Sequence, residues 1–159
     1  MKVNILNRQT GKLCKATITK VRKDFDNIST DRFDTFNWEG FRESYTGLFK
    51  LMKGNNILGL MQFGIENVFQ NVMELTKIEL SVENRGRNKK YDYIAGCLIA
   101  YACLITKKSG NRDMGIFYNK ATKSIYIEKY GMMSYDEFYV KSSIENSNKL
   151  IGKYLTITR

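Results

Sequence analysis

Between an alternating strand and a long apolar run, within Lys77–Ile105, the chain gathers Arg85, Arg87, Lys89 and Lys90 around Gly86. A strand, a loop rich in N–H donors and Lys/Arg, and then a helix N-terminus form an arrangement that binds anions, usually phosphates. Backbone N–H groups point at the ligand and the helix dipole adds attraction. Lysines would contribute point charges and arginines forked donors. The plainer alternative for these side chains is a solvated basic loop.

Other chemistries are narrowed by what the chain lacks. There is no histidine, so no Ser-His-Asp or Cys-His triad and no His-containing metal site can be built from it. Cys14, Cys97 and Cys103 are scattered without CxxC spacing, which points to buried free thiols in a reducing cytosol rather than a zinc site or a disulfide scaffold. No bound metal is expected. The net charge of +10 favours polyanionic partners: phosphorylated cofactors, nucleic acid or anionic lipid. Charge alone does not choose among them, and no nucleic-acid recognition motif is present, so nucleic acid is the less favoured partner.

The N-terminus, MKVNILNRQTGKL, has no apolar signal core, and a cytoplasmic protein is expected. Tyr91–Ile105 is shorter than the ~20 apolar residues of a membrane span and has Asp92 near its start. It reads as a core helix, and no membrane partner is expected.

The elements that must position the loop follow from periodicity. Val3–Leu6 and Leu13–Val21 read as strands, with Leu13, Lys15, Thr17 and Thr19 alternating against Cys14, Ala16, Ile18 and Lys20. Asp24–Asn37 is polar and irregular. Phe33, Phe36, Trp38 and Phe41 suit a short segment anchored in the core or one wall of a cleft, and residues 24–44 as a whole could cover or line that cleft. Phe49–Met52 and Ile57–Ile65, split by Lys53-Gly54-Asn55-Asn56, read as a β-hairpin. Val72–Val82 is a strand, Lys90–Lys108 a buried helix stopped by Ser109-Gly110-Asn111, and Met114–Tyr118 a strand. Lys120–Lys129 is helical and ends at Gly131, Tyr135–Val140 is a strand, and Ser147–Leu155 a final short helix. With 159 residues and no linker or repeat, one domain spanning 1–159 is expected, of the α+β (mixed α/β) class. Its central sheet should be mixed, mostly antiparallel and twisted, with helices on both faces.

Four segments carry a resemblance. FKLMKGNNILGLMQFGI, IELSVENRGRNKK, YIAGCLIAYACLITKKSG and KATKSIYIEKYGM resemble in turn the hairpin, the central strand with its pyrophosphate loop, the following helix and the closing segment of the GCN5-related N-acetyltransferases (GNAT). The family loop has the form R/Q-x-x-G-x-G/A. If Arg85 opens it, Asn88 and Lys90 stand where glycines let backbone N–H groups approach the pyrophosphate. The closing segment has the form A-x-x-x-Y-x-K-x-G-F. Ile127 takes the place of its tyrosine, and Tyr126 lies one residue earlier, a step of about 100° around a helix.

The resemblance implies acetyl-CoA as acyl donor and an amine as acceptor. It implies a thioester carbonyl held by the N–H of Leu80 or Val82, and phosphates held by the loop Arg85, Gly86, Arg87, Asn88, Lys89 and Lys90. It implies a carboxylate base, Glu79 or Glu74, and Tyr126 as general acid. In strict alternation Glu74 and Glu79 fall on opposite faces of the strand, so at most one can face a substrate. The alternative is a GNAT-like module without turnover that uses its basic loop for CoA, a nucleotide or nucleic acid. Oligomeric state is not legible.

Overall fold

The computed structural model describes the chain except residues 23–27, 42–46, 68–70, 111 and 156–159, and at 65–67 it describes the backbone alone. The ends of the irregular stretch at 24–27 and 42–44, and Asn111 of the helix stop, therefore lie outside the described residues.

The described residues form one nine-stranded sheet in the order β6-β1-β2-β3-β4-β5-β7-β9-β8. Its strands are β1 (Lys2–Asn7), β2 (Leu13–Lys20), β3 (Leu48–Lys53), β4 (Asn56–Asn67), β5 (Val72–Leu80), β6 (Tyr91–Asp92), β7 (Asp113–Phe117), β8 (Met133–Ser134) and β9 (Tyr139–Ser142). Every pairing is antiparallel except β5 with β7. That one parallel pair needs a crossover, and α1 (Ile94–Lys108) supplies it.

Helix α1 is buried nearly all round, as its composition requires. It packs across β4, β5 and β7 on one side and against α2 (Ile144–Tyr154) on the other. Gly59 of β4 allows the close approach: a Cβ there would stand 2.8 Å from Ile94 Cγ2 and 3.0 Å from Leu98 Cδ1. Helix α2 begins at Ser143, whose hydroxyl accepts the N–H of Asn146. At its far end Tyr154 lies over Gly96 in the first turn of α1.

The opposite face carries a second cluster of Val21, Phe33, Trp38, Leu48, Ile57 and Leu60. The chain from Ile28 to Phe41 covers it, ending in a 3-10 turn at Glu39–Phe41. The aromatic group divides accordingly. Phe33 and Trp38 are core, while Phe36 is only partly buried.

Several boundaries move from their expected positions. The strand expected over Val72–Val82 ends at Leu80, and the helix expected over Lys120–Lys129 begins at Lys123 and contains a π turn over Ile125–Lys129. Helix α1 starts at Ile94, because Tyr91 and Asp92 pair with Asn7 and Leu6 as an edge strand and Tyr93 takes a left-handed φ of 73°. The strand expected over Tyr135–Val140 is shifted to β9, because Asp136 Oδ1 accepts the N–H groups of Phe138 and Tyr139 and makes 135–138 a turn. The final helix begins three residues early, where Ser143 caps it. No helix among the described residues is long and apolar enough to cross a membrane.

Candidate active site

Two local irregularities in β5 create the site. The first is a bulge. Phe63 pairs with Leu75 and Gln62 with Lys77, leaving Thr76 without a partner on β4. The Thr76 hydroxyl donates to the Gln62 backbone carbonyl at 3.3 Å and lies 3.1 Å from Gln62 Oε1. An extra residue in one strand flips side-chain parity beyond it. Leu75, Ile78 and Leu80 therefore all face the α1 core. Glu74 and Glu79 both face the other side, correcting the strict alternation expected of them: Glu74 accepts from Tyr139 Oη at 2.6 Å, and Glu79 accepts from the segment that covers that face.

The second irregularity is a divergence. β5 and β7 pair from Val72 with Asp113 to Leu75 with Ile116 and no further. β5 runs on to Leu80, whereas β7 is drawn away by β9: Phe117 pairs with Tyr139, and the Tyr118 N–H donates to Phe138 O at 3.1 Å. The V between them holds a cavity of about 300 Å³ that passes through the sheet. Tyr126 and Thr122 line it from the α1 side, Thr35, Phe36 and Lys77 from the other, with Phe117 and Asn119 on the β7 wall.

Backbone direction fixes which N–H groups meet this space. Ser81 N–H donates to Leu58 O on β4. Alternate residues point to opposite sides of a strand, so Ile78 and Leu80 turn their N–H groups towards the diverging edge. Val82 does not serve in this way, because its N–H donates to Arg32 O at 3.0 Å. Of the two expected donors Leu80 points its N–H to this edge, beside the Arg85 side chain that bonds its carbonyl, but only Ile78 lines the cavity itself. Ile78 was missed because only the divergence makes its N–H accessible.

Tyr126 lines the cleft and Ile127 does not. The reason is a π turn over Ile125–Lys129, which admits one more residue per turn than an α-helix and absorbs the one-residue offset seen in the sequence. Burial pushes the Tyr126 phenol up to about 12. Among the described residues its hydroxyl has no hydrogen-bond partner.

Glu79 is a structural carboxylate. Its side chain is 2% exposed, and it accepts from Thr35 N at 2.8 Å, Phe36 N at 3.3 Å and Trp38 Nε1, besides pairing with Arg85 at 2.6 Å. With its lone pairs taken up, it clamps the 28–41 segment to β5. Arg85 is its counterpart. Its Nε donates to Leu80 O, and its two terminal nitrogens reach Asp34 and Glu79, each at 2.6 Å. All three directions of the guanidinium fork point into the protein rather than to a ligand. The hydrogen bond from Arg85 holds the Asp34 carboxyl below its ordinary value.

The rest of the loop is stitched down. Asn84, fully buried, donates to Ser81 Oγ at 2.8 Å and accepts from Tyr91 N at 3.0 Å. Lys89 pairs with Asp92 at 2.8 Å. Burial works against ionising Asp92, but Lys89 outweighs it and keeps the carboxyl below its usual value. Gly86 adopts φ +67° with open space where a Cβ would be, so its glycine serves the turn and cradles no buried group. Arg87 and Asn88 project from the exposed tip, and Lys90 turns its ammonium to 5.8 Å from the Tyr91 ring. The cations named by the sequence thus share a loop but not a direction. Among the described residues no cluster of acidic, cysteine or histidine side chains could hold a metal.

No protein-family model matches the sequence, and no curated protein matches it either. Solved structures do. The chain superposes with a TM-score of 0.62 on a structure of the AtaT–AtaR complex bound to DNA, at 15% identity over 85% of this chain and 99% of that one. It matches the PaiA N-acetyltransferase from Thermoplasma acidophilum in complex with coenzyme A at 0.55, with 15% identity over 80% of this chain and 98% of that one. It matches a GNAT family acetyltransferase from Brucella melitensis in complex with acetyl-CoA at 0.55, with 14% identity over 80% and 87%. The fold of this chain is that of the GNAT acetyltransferases, as the four segments implied, at low sequence identity.

Proposed function

We propose that this protein is a CoA-dependent N-acyltransferase that moves an acetyl group from acetyl-CoA to an amine. The observation that carries the proposal is the opening between β5 and β7 beyond Leu75 and Ile116. A continuous ladder there would leave no path for a pantetheine arm. Crystal structures sharing the fold include complexes with acetyl-CoA or coenzyme A.

In this reading the thioester enters from the α1 side and the amine from the side of Thr35 and Phe36. The N–H groups of Leu80 and Ile78 meet the carbonyl oxygen as it gains charge during attack. The amine must lose a proton. Glu74 is on the acceptor face and serves through water, its carboxylate oriented by Tyr139. Glu79 is withdrawn from that role by its structural bonds. When the C–S bond breaks, the electron pair goes to sulfur, and Tyr126 stands on the donor side to stabilise it. A phenol near 12 gives up its proton to a thiolate, whose conjugate acid lies at about 8.5, only at a penalty of roughly 5 kcal/mol. Tyr126 therefore acts chiefly as a hydrogen-bond donor. Phosphates fall to the exposed tip, with Arg87 as the cation and the N–H groups around Gly86 and Asn88 as donors, Lys89 remaining within reach.

A ligand that binds only the native state raises its melting temperature, so acetyl-CoA should do so here. No shift at millimolar acetyl-CoA would remove the acyltransferase reading. A second reading is favoured by the engagement of Arg85 and Glu79 in structural contacts: a GNAT-fold module that binds CoA without turnover. Release of free thiol from acetyl-CoA in the presence of a mixed amine pool separates the two, since only the enzyme produces it.

A further inference from the structure

On the far side of the loop from the cleft lies a second hollow of about 330 Å³, lined by Arg32, Lys53, Asn56, Leu58, Glu83, Lys90 and Tyr91. It shares no residue with the cleft between β5 and β7. We propose that this hollow is a separate binding site for a phosphate monoester, the terminal phosphate of a small phosphorylated metabolite.

Charge and fixed geometry support the assignment. The Lys53 and Lys90 ammonium groups sit 5.7 Å and 5.8 Å from the centroid of the same Tyr91 ring. Neither has a carboxylate partner among the described residues. Arg32 completes the set and is preorganised: its NH2 nitrogen donates to Ile57 O at 2.9 Å and to Glu83. Both bonds are made by NH2, which leaves the Nε and NH1 N–H groups as single donors for an anion. Against these cations the lining carries one carboxylate, Glu83, which Arg32 already neutralises. The remaining charge, carried by the two lysines, matches a phosphate monoester, which carries about −1.5 to −2 at neutral pH.

The fold builds this wall deliberately. The register between β3 and β4 slips after Leu51, so Leu58 has no partner on β3. Leu58 O is turned to Ser81 N, and Ile57 O to Arg32. The bulge thus ties the β3–β4 hairpin, the 28–41 segment and the loop after β5 around one space. A nucleic-acid backbone would need a run of such positions along a track, whereas a single hollow of this size suits one terminal phosphate.

The test uses the intact protein and calorimetric titration at low ionic strength with AMP and adenosine as probes. AMP is expected to bind at least about tenfold more tightly than adenosine. Lys53→Glu should remove that preference and Lys53→Arg should keep it, with folding of each variant checked by its melting curve; Lys53→Gln gives an intermediate loss if the reversal unfolds the protein. Saturating acetyl-CoA should leave AMP affinity unchanged. Equal binding of AMP and adenosine, or an unaltered preference in both Lys53→Glu and Lys53→Gln, overturns the proposal. So does one-for-one displacement of AMP by acetyl-CoA, which would return these cations to the phosphates of CoA itself. Failure of acetyl-CoA to bind removes the acyltransferase reading but leaves the AMP result standing on its own.

Discussion

Glu79 and Tyr126 illustrate how far residue type and residue role separate. Glu79 has the chemistry of a base and stands on the strand where one would be sought, yet four donors engage it. In Glu79→Gln, Arg85 would keep Asp34 as an ion-pair partner, but the buried amide would present its NH2 to N–H donors that now meet a carboxylate. The substitution should lower stability by about 1–3 kcal/mol, read as an earlier midpoint in urea denaturation. A variant that lost turnover while keeping its midpoint would restore Glu79 as the base. Tyr126→Phe should do the reverse. A buried hydroxyl without a protein partner contributes little to folding, so the melting temperature should hold while kcat falls about a hundredfold. Equal turnover by Tyr126→Phe would exclude the phenol from the reaction. The sequence could show both residue types but not these roles. Engagement of Glu79 depends on Thr35, Phe36 and Trp38, some forty residues away in the chain, and no local pattern announces that contact.

At the scale of elements, alternation and turn signals located the longer strands and the long helix, because those signals are local, but missed the two-residue strands β6 and β8. They missed what pairing decides. The bulge at Thr76 is invisible in TKIEL, since it is defined by where Gln62 and Phe63 fall on β4. It nonetheless moves Glu74 and Glu79 to one face and turns Ile78 and Leu80 to the core. Likewise the edge strand Tyr91–Asp92 exists only because β1 lies beside it, and its pairing shortens the helix that apolar content alone would extend. The packing of α1 on β4 gives a direct check. Gly59→Ala would place a methyl 2.8 Å from Ile94 and 3.0 Å from Leu98 in a filled core, at a cost of about 1–3 kcal/mol. Thermal melting should show the loss, and shortening of Leu98 to Val should recover part of it. An unchanged melting temperature for Gly59→Ala would mean that α1 sits further from the sheet than described.

For the whole molecule, opposite signs of pKa shift set limits on stability at both ends of the pH scale. Asp34, Glu83, Asp92 and Glu145 all lie below their ordinary values of 3.8 and 4.5. For Glu83, burial opposes ionisation and the Arg32 hydrogen bond overrides it. A depressed carboxylate binds its proton more readily in the unfolded chain. The stability it contributes is complete above the unfolded pKa and is lost as pH falls through the folded one. Three of these groups hold the loop after β5 or its partner segment, so that region should open first in acid. Tyr126 and Tyr130 are shifted the other way by burial, Tyr126 to about 12 against an ordinary 10.0. Their contribution is complete below 10.0 and is lost as pH rises beyond it. Melting temperature followed from about pH 3 to about pH 11 should therefore be flat in the middle, fall below about pH 4.5 and fall again above about pH 10. Tyr126→Phe should soften the alkaline fall and leave the acid limb alone, whereas Asp34→Asn should soften only the acid limb, because Asp34 is not among the groups that raise either tyrosine. An alkaline limb identical in Tyr126→Phe and the parent protein would place that phenol in water, and with it would go the buried donor that the proposed chemistry assigns to the leaving sulfur.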